Sequence, residues 1–288
     1  MALSAAGVRP AAAVPHGPVD GPDGLLAGVA AGRGRTVAMG QDAGGRAMAW
    51  WSDGGRWTPA SVPPPPDAAL GDAAAVPGGF VAVGSRARQA AAWWSPDGST
   101  WRATAPLPGP GHLAAVAASG RSVLAVGAVL DGETDEGVAP LIAALDRSGW
   151  SRLSSTGVGA LDHGSLTAVA HHAGRWVVAG VTTAASSLWT TEGSAGWQAR
   201  ADGAAEPVAW SSLLPVGSEL VAIGTTVAGG EVALSRSLDA RRWRLGDVPG
   251  LLASVGSDLR SVAVDAASGQ VVAGTLGAVT ELAAGVLR

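Results

Sequence analysis

Short apolar runs, each ended by glycine or a polar turn, follow one another along nearly the whole chain. Apolar positions do not recur at the three-and-four spacing of a helix, so the pattern predicts strands. One run returns in recognisable form as Val37–Gly40, Val81–Gly84, Leu124–Gly127, Val177–Gly180, Val221–Gly224 and Val271–Gly274, its glycines 43 to 53 residues apart. Each copy follows another apolar segment across a turn: LAGV (26–29), LGDA (70–73), LAAV (113–116), LTAV (166–169), WSSL (210–213) and LRSV (259–262). After the glycine come a polar loop, a third apolar run such as AAWWS, a tight turn, and a tryptophan that opens a fourth segment. Those tryptophans are Trp57, Trp101, Trp150, Trp197 and Trp243; the last copy has none.

Four short strands with glycine-rich turns, repeated at this period, are the sequence form of a propeller blade. The expected fold is therefore all-β: a six-bladed β-propeller of four-stranded antiparallel blades, forming a single domain over 1–288. The blades are expected at approximately 25–69, 70–112, 113–165, 166–209, 210–258 and 259–288. The last copy stops after three runs, while GVRPAAAVP (7–15) has the look of the fourth segment WRATAPLP (101–108). Residues 7–14 are expected as an N-terminal strand that closes the last blade and removes the open edges.

The turn before each tryptophan reads SDGGRW (52–57), SPDGSTW (95–101), LDRSGW (145–150), TTEGSAGW (190–197) or SLDARRW (237–243). A carboxylate such as Asp97 can accept amides of its own turn, Gly98 can take a positive φ, and the tryptophan can bury its ring between blades. These hairpins resemble the Asp-box, or BNR, repeat of the sialidase-like β-propeller superfamily, whose pattern is S-x-D-x-G-x-T-W. Here SPDGSTW is one residue short and TTEGSAGW carries Glu192 in place of the aspartate. The resemblance implies the architecture; the superfamily holds glycosidases, other enzymes and plain binding proteins.

Composition narrows the chemistry. The chain has no Cys, Tyr, Lys or Asn, which removes disulfides, thiolate ligands, Schiff bases and N-glycosylation sequons. The sialidase mechanism that the resemblance implies uses a tyrosine nucleophile, so a tyrosine-dependent sialidase is excluded. A net charge of −4 offers no basic field for nucleic acid. No apolar run is long enough for a membrane span, and a monomer is expected. Abundant Ala, Gly and Arg suggest a GC-rich bacterial source. A secreted or cell-surface location with the leader removed and a cytoplasmic one both stay open.

In a four-stranded meander the first and third turns lie on one face, and the second loops and blade links on the other. This loop-rich face is the expected functional face. His112 and His163, the latter beside Asp162, fall in links between blades and could share a ligand or zinc. Asp131, Glu133 and Asp135, in the long loop VLDGETDEGVAP, have the oxygen chemistry for calcium. Asp72 and Arg260 are the charged residues of the innermost segments, and Trp210 stands where other copies have Leu; each is a candidate ligand contact. No cofactor is expected beyond such a calcium or zinc ion. The adjacent His171 and His172 would point to opposite sides of a strand, which suits a turn better than a metal. The expected function is binding of a carbohydrate or protein through the loop-rich face; a hydrolase or lyase using the same face is the alternative.

Overall fold

The computed structural model describes residues 25–282 except 43, 55–56, 106, 108, 131–136, 147–148, 159–164, 182–185, 192–195, 203, 205, 229, 247–258, 265–270 and 276–277. From residue 259 onward the backbone alone is described. Blade 1 comprises β1 (Leu25–Gly32), β2 (Arg35–Gln41), β3 (Ala47–Ser52) and β4 (Thr58–Pro59). Blade 2 comprises β5 (Ala68–Val76), β6 (Gly79–Arg86), β7 (Gln89–Ser95) and β8 (Arg102–Ala103). Blade 3 has β9 (Gly111–Ser119), β10 (Ser122–Leu130), β11 (Gly137–Asp146) and β12 (Gly149–Arg152). Blade 4 has β13 (Ser165–His172), β14 (Arg175–Val181), β15 (Ser186–Thr191) and β16 (Trp197–Arg200). Blade 5 has β17 (Val208–Val216), β18 (Glu219–Thr226), β19 (Val232–Ser237) and β20 (Arg244–Leu245). A three-stranded sheet follows, of β21 (Leu259–Val264), β22 (Val271–Thr275) and β23 (Ala278–Leu282).

Every sheet is an antiparallel meander in sequence order. The chain is thus an all-β propeller with four-stranded antiparallel blades. The first strands β1, β5, β9, β13 and β17 stand side by side around the axis, and β21 lies against both β17 and β1. No helix among the described residues is long and apolar enough to cross a membrane.

The second strands explain why the repeated run is apolar at every position: both faces of each blade are covered. In β6, Phe80 and Ala82 pack with Val37, Met39 and Ala49 of blade 1, while Val81 and Val83 pack with Val123 and Leu141 of blade 3. The hairpin tryptophans fill the same interfaces. Trp101 joins the blade 1–2 cluster, Trp197 the blade 3–4 cluster with Val126 and Ile142, and Trp243 the blade 4–5 cluster with Val177 and Leu188.

The repeated glycine has a steric cause. Each first strand carries a β-bulge at the same place, at Ala27, Gly71, Ala114, Thr167, Ser211 and Arg260. The bulge brings a first-strand carbonyl against the second strand. A Cβ at Gly84, Gly127 or Gly224 would collide with the carbonyl oxygen of Ala69, His112 or Ala209. A residue without a side chain is required there.

Candidate functional site

Two cavities stand out among the described residues. The first is the central channel, about 510 Å³, walled by the first strands of the five described four-stranded blades. Alanine is the commonest residue of its lining, since strands that converge on an axis favour small side chains; Thr167, His171, Ser211 and Ser212 add polar groups. Asp72 is the one carboxylate among the described lining residues. It follows the Gly71 bulge, and its Oδ2 accepts the Val116 amide of blade 3 at 3.0 Å. Gly28 of blade 1 makes room for it, since a Cβ there would lie 2.5 Å from the Asp72 Cα and 2.8 Å from Oδ1. Burial in this wall raises the Asp72 carboxyl to about 7, against the opposing pull of the Val116 and Ala73 amides.

The second cavity, about 590 Å³, is a cleft between blades 2 and 3 on the loop-rich face. Leu70, Leu113 and Leu130 form apolar parts of its wall; Asp67, Arg86, Arg88 and His112 supply charge and hydrogen bonding. Arg86 donates to both oxygens of Asp67, at 3.0 and 2.9 Å, in an ion pair about half exposed to solvent. That guanidinium holds the Asp67 carboxyl below its usual range.

Between Arg86 and Gln89 the chain reverses in two residues, Ala87 and Arg88, with φ of 48° and 61°. Left-handed backbone at a residue with a Cβ costs about 1–2 kcal/mol. The turns at 33–34 and 173–174 place glycine second, at Gly34 and Gly174. The 87–88 turn has no glycine. It is held from outside instead: the Gly111 amide donates to the Arg88 carbonyl at 2.8 Å, and Gln89 bridges to Pro110. The same bonds start β9, which carries His112.

His112 is therefore the second residue of an inner strand, paired with Ala128, rather than part of a link. Its Nε2 lies 3.2 Å from the Ser165 hydroxyl of blade 4, and that hydroxyl donates to the Leu166 carbonyl at 3.0 Å.

The structure sorts the other expected site residues. Trp210 is not a stacking platform. It is 0% exposed, its ring sits among Leu188, Leu213 and Leu220, and its Nε1 donates to Asp202 Oδ2 at 3.0 Å. The aromatic in the Leu position serves the blade 4–5 core because Asp202 is there to take its N–H. Arg260 lies at the β21 bulge, two blades from Asp72. Asp162, His163, Asp131, Glu133 and Asp135 lie outside the described residues. Among the described residues no three His, Asp or Glu side chains gather to hold a metal. The histidine pair is split as its strand position requires: His171 Nδ1 meets Ser119 Oγ at 2.9 Å and His172 Nε2 meets the Leu238 carbonyl at 3.1 Å.

Two of the hairpin acids, Asp97 and Asp239, satisfy their own turns. Asp97 accepts the Ser99 and Thr100 amides at 2.9 and 3.3 Å and the Ser99 hydroxyl at 2.8 Å. Trp101 Nε1 donates to the Gly98 carbonyl at 2.9 Å. Asp239 accepts the Arg241 and Arg242 amides at 2.8 and 2.9 Å.

Sequence reasoning missed Arg88, Arg86 and Asp67. The available signal was a two-residue gap in SRARQA, where two apolar runs meet without any glycine, asparagine or aspartate.

No protein-family model and no curated protein matches the chain. Solved structures match it in fold. A gluconolactonase from Xanthomonas campestris superposes with a TM-score of 0.61 at 12% identity, over 90% of this chain and 86% of that one. The six-bladed fucose-recognising lectin of Aleuria aurantia gives 0.56 at 12% identity, over 90% and 91%. YCF48 bound to D1 peptide gives 0.52 at 16% identity, over 91% and 82%.

Proposed function

We propose that the protein is a binding propeller that engages a protein or carbohydrate ligand through its loop-rich face, at the cleft between blades 2 and 3. The observation that carries this reading is the rim of that cleft. A strained turn is fixed by bonds to the next blade and presents Arg88 beside Arg86, Asp67 and His112. Strain of this kind persists where surrounding structure over-determines it, and it clusters at functional sites. The opposite face carries hairpin acids already bonded within their own turns. Propellers of similar fold described with a fucoside and with a peptide are in keeping with a binding role.

A hydrolase or lyase is less well supported. The channel offers Asp72 as a carboxyl able to be protonated near neutrality, but its other described lining residues include no second carboxyl for acid–base work.

We read the ring as six-bladed, with β21–β23 as three strands of the last blade and residues 7–14, which lie outside the described residues, as its outer strand. Support comes from the meander order of those strands and their place between β17 and β1. The self-bonded turn of Asp97 is likewise in keeping with an Asp-box repeat.

A glycan array and a peptide array test the binding role and its face together. Each is screened with the wild type, with the loop-face variants Arg86→Ala and His112→Ala, and with the hairpin-face control Arg33→Ala. Binding is expected to fall with the loop-face changes and survive the control. The reverse pattern sinks the assignment.

A further inference from the structure

We propose that the crevice between blades 2 and 3 at their hairpin ends binds a pyranose ring of a glycan, stacked on the indole of Trp94, with the Arg102 guanidinium donating to its hydroxyl oxygens. This site lies away from the loop-rich face and does not depend on the cleft described above.

The first argument compares two equivalent tryptophans. Trp51 and Trp94 are each the second tryptophan of an AWWS run, and each pairs with the first valine of the repeated run, Val37 or Val81. Trp51 is covered twice. The Arg35 guanidinium lies 4.6 Å from the centre of its ring and donates to the Asp97 carbonyl of blade 2 at 2.6 Å. The next blade's turn also closes on it, since a Cβ at Gly98 would lie 3.3 Å from the Trp51 Cβ. Trp94 has neither cover. Gly79 stands where blade 1 has Arg35, and a Cβ there would collide with the Ser95 carbonyl. In blade 3 Asp146 pairs with Gly149, so residues 147–148 alone connect β11 to β12, where residues 96–101 connect β7 to β8. Trp94 is left 36% exposed.

The second argument is what stands beside it. Val81, Trp94 and Arg102 are directly opposite one another on β6, β7 and β8, so they share a face of the blade. Val81 packs in the blade 2–3 cluster, which directs that face toward blade 3. Leu145 and Trp150 of blade 3 are partly buried against the same cluster. An open indole, an apolar neighbour and a guanidinium thus meet at one interface.

Third, the residues choose among ligands. Blade 1 puts a cation against its own ring, but it pairs Trp51 with Thr58, whereas Trp94 is paired with Arg102. A cationic ligand at Trp94 would meet a like charge at once. A pyranose meets both groups favourably. Its C–H face carries partial positive charge toward the negative face of the indole, and its hydroxyl oxygens accept from guanidinium N–H groups, which can only donate.

A glycan array screened with the wild type, Trp94→Ala, Trp94→Phe and Arg102→Gln tests the site, with each hit titrated by calorimetry. At least one glycan should bind and lose roughly tenfold or more of its affinity in Trp94→Ala. Trp94→Phe keeps a flat ring and should retain part of the affinity; it also serves should the alanine variant fail to fold. Arg102→Gln should weaken binding without abolishing it. These losses are expected at an unchanged melting temperature, which a merely structural Trp94 would lower. Arg86→Ala and His112→Ala should leave the same glycans bound, so failure of the loop-face cleft and failure of this site read out separately. No glycan bound at about 10 mM, or undiminished binding by Trp94→Ala, overturns the proposal. A ligand on the peptide array that needs Trp94 overturns it in favour of a protein partner.

Discussion

Asp97 and Asp72 both accept backbone amides, and their surroundings drive their carboxyls in opposite directions. At Asp97 burial works against ionisation, but the Ser99 amide, the Ser99 hydroxyl, the Thr100 amide and the Ser95 hydroxyl together outweigh it, and the pKa falls. Asp97→Ala leaves those turn amides without their acceptor. It should lose about 1–3 kcal/mol in urea denaturation while any ligand affinity stays unchanged; lost affinity at native stability would contradict a structural role. At Asp72 burial dominates and the carboxyl rises from 3.8 to about 7. The folded state therefore disfavours the ionised form. Stability from this group is greatest below 3.8, declines as pH rises toward 7, and stays at its low level above. Asp72→Asn should melt above the wild type at about pH 8, with the gap narrowing as pH falls through 7 and closing toward 3.8. A gap that does not change between pH 5 and pH 8 would show that the carboxyl is not desolvated in the channel wall.

At the scale of the strand, the glycine of the repeated run and the bulge of the preceding strand form one device, and its tightness varies between blades. Gly84 has a backbone carbonyl in the space of a Cβ, whereas at Gly180 the nearest atoms are the Leu166 Cδ2 at 3.0 Å and the Ser165 oxygen at 3.1 Å. Neither lies in left-handed backbone, so the contrast is purely steric. Gly84→Ala should cost about 3 kcal/mol and Gly180→Ala about 1 kcal/mol, read from chemical denaturation; equal costs would argue against the bulge as the cause. The strands, their order and the apolar second run were legible in the sequence because covered faces and turn glycines leave a periodic trace. The bulge was not, since nothing local distinguishes Ala27 or Ala114 from their neighbours. Asp72 was visible as a charge in LGDA, but the amide it meets belongs to another blade. The 87–88 turn left only a two-residue gap between apolar runs, because tertiary bonds hold a conformation that its own residues do not favour. Trp210 misled because a large aromatic in a small-residue pattern can fill a core as readily as face a ligand.

The molecule as a whole is a set of interfaces between successive blades. A covering outer strand matters most where the set begins and ends. If residues 7–14 complete the last sheet, removing residues 1–15 uncovers the edge of β23. The shortened protein should lower its melting temperature and aggregate, as followed by light scattering; unchanged solubility and melting would refute the closing strand. The period of the repeat carried this architecture in the sequence, whereas the cleft is assembled from Asp67, Arg86 and Arg88 of one blade and His112 of the next, which meet only across two blades.

Each described sheet pairs strands that are neighbours in sequence. Chain closure between such strands spans few residues, and its entropy cost grows only slowly with that span. A blade can thus gain most of its hydrogen bonds from its own segment, before its neighbours exist. What it cannot gain alone is cover for its two apolar faces, as Phe80 and Val81 require partners on opposite sides. Nascent chain emerging from the ribosome would therefore hold correctly paired but sticky sheets, each quenched by the arrival of the next, with the first face waiting longest for its partner.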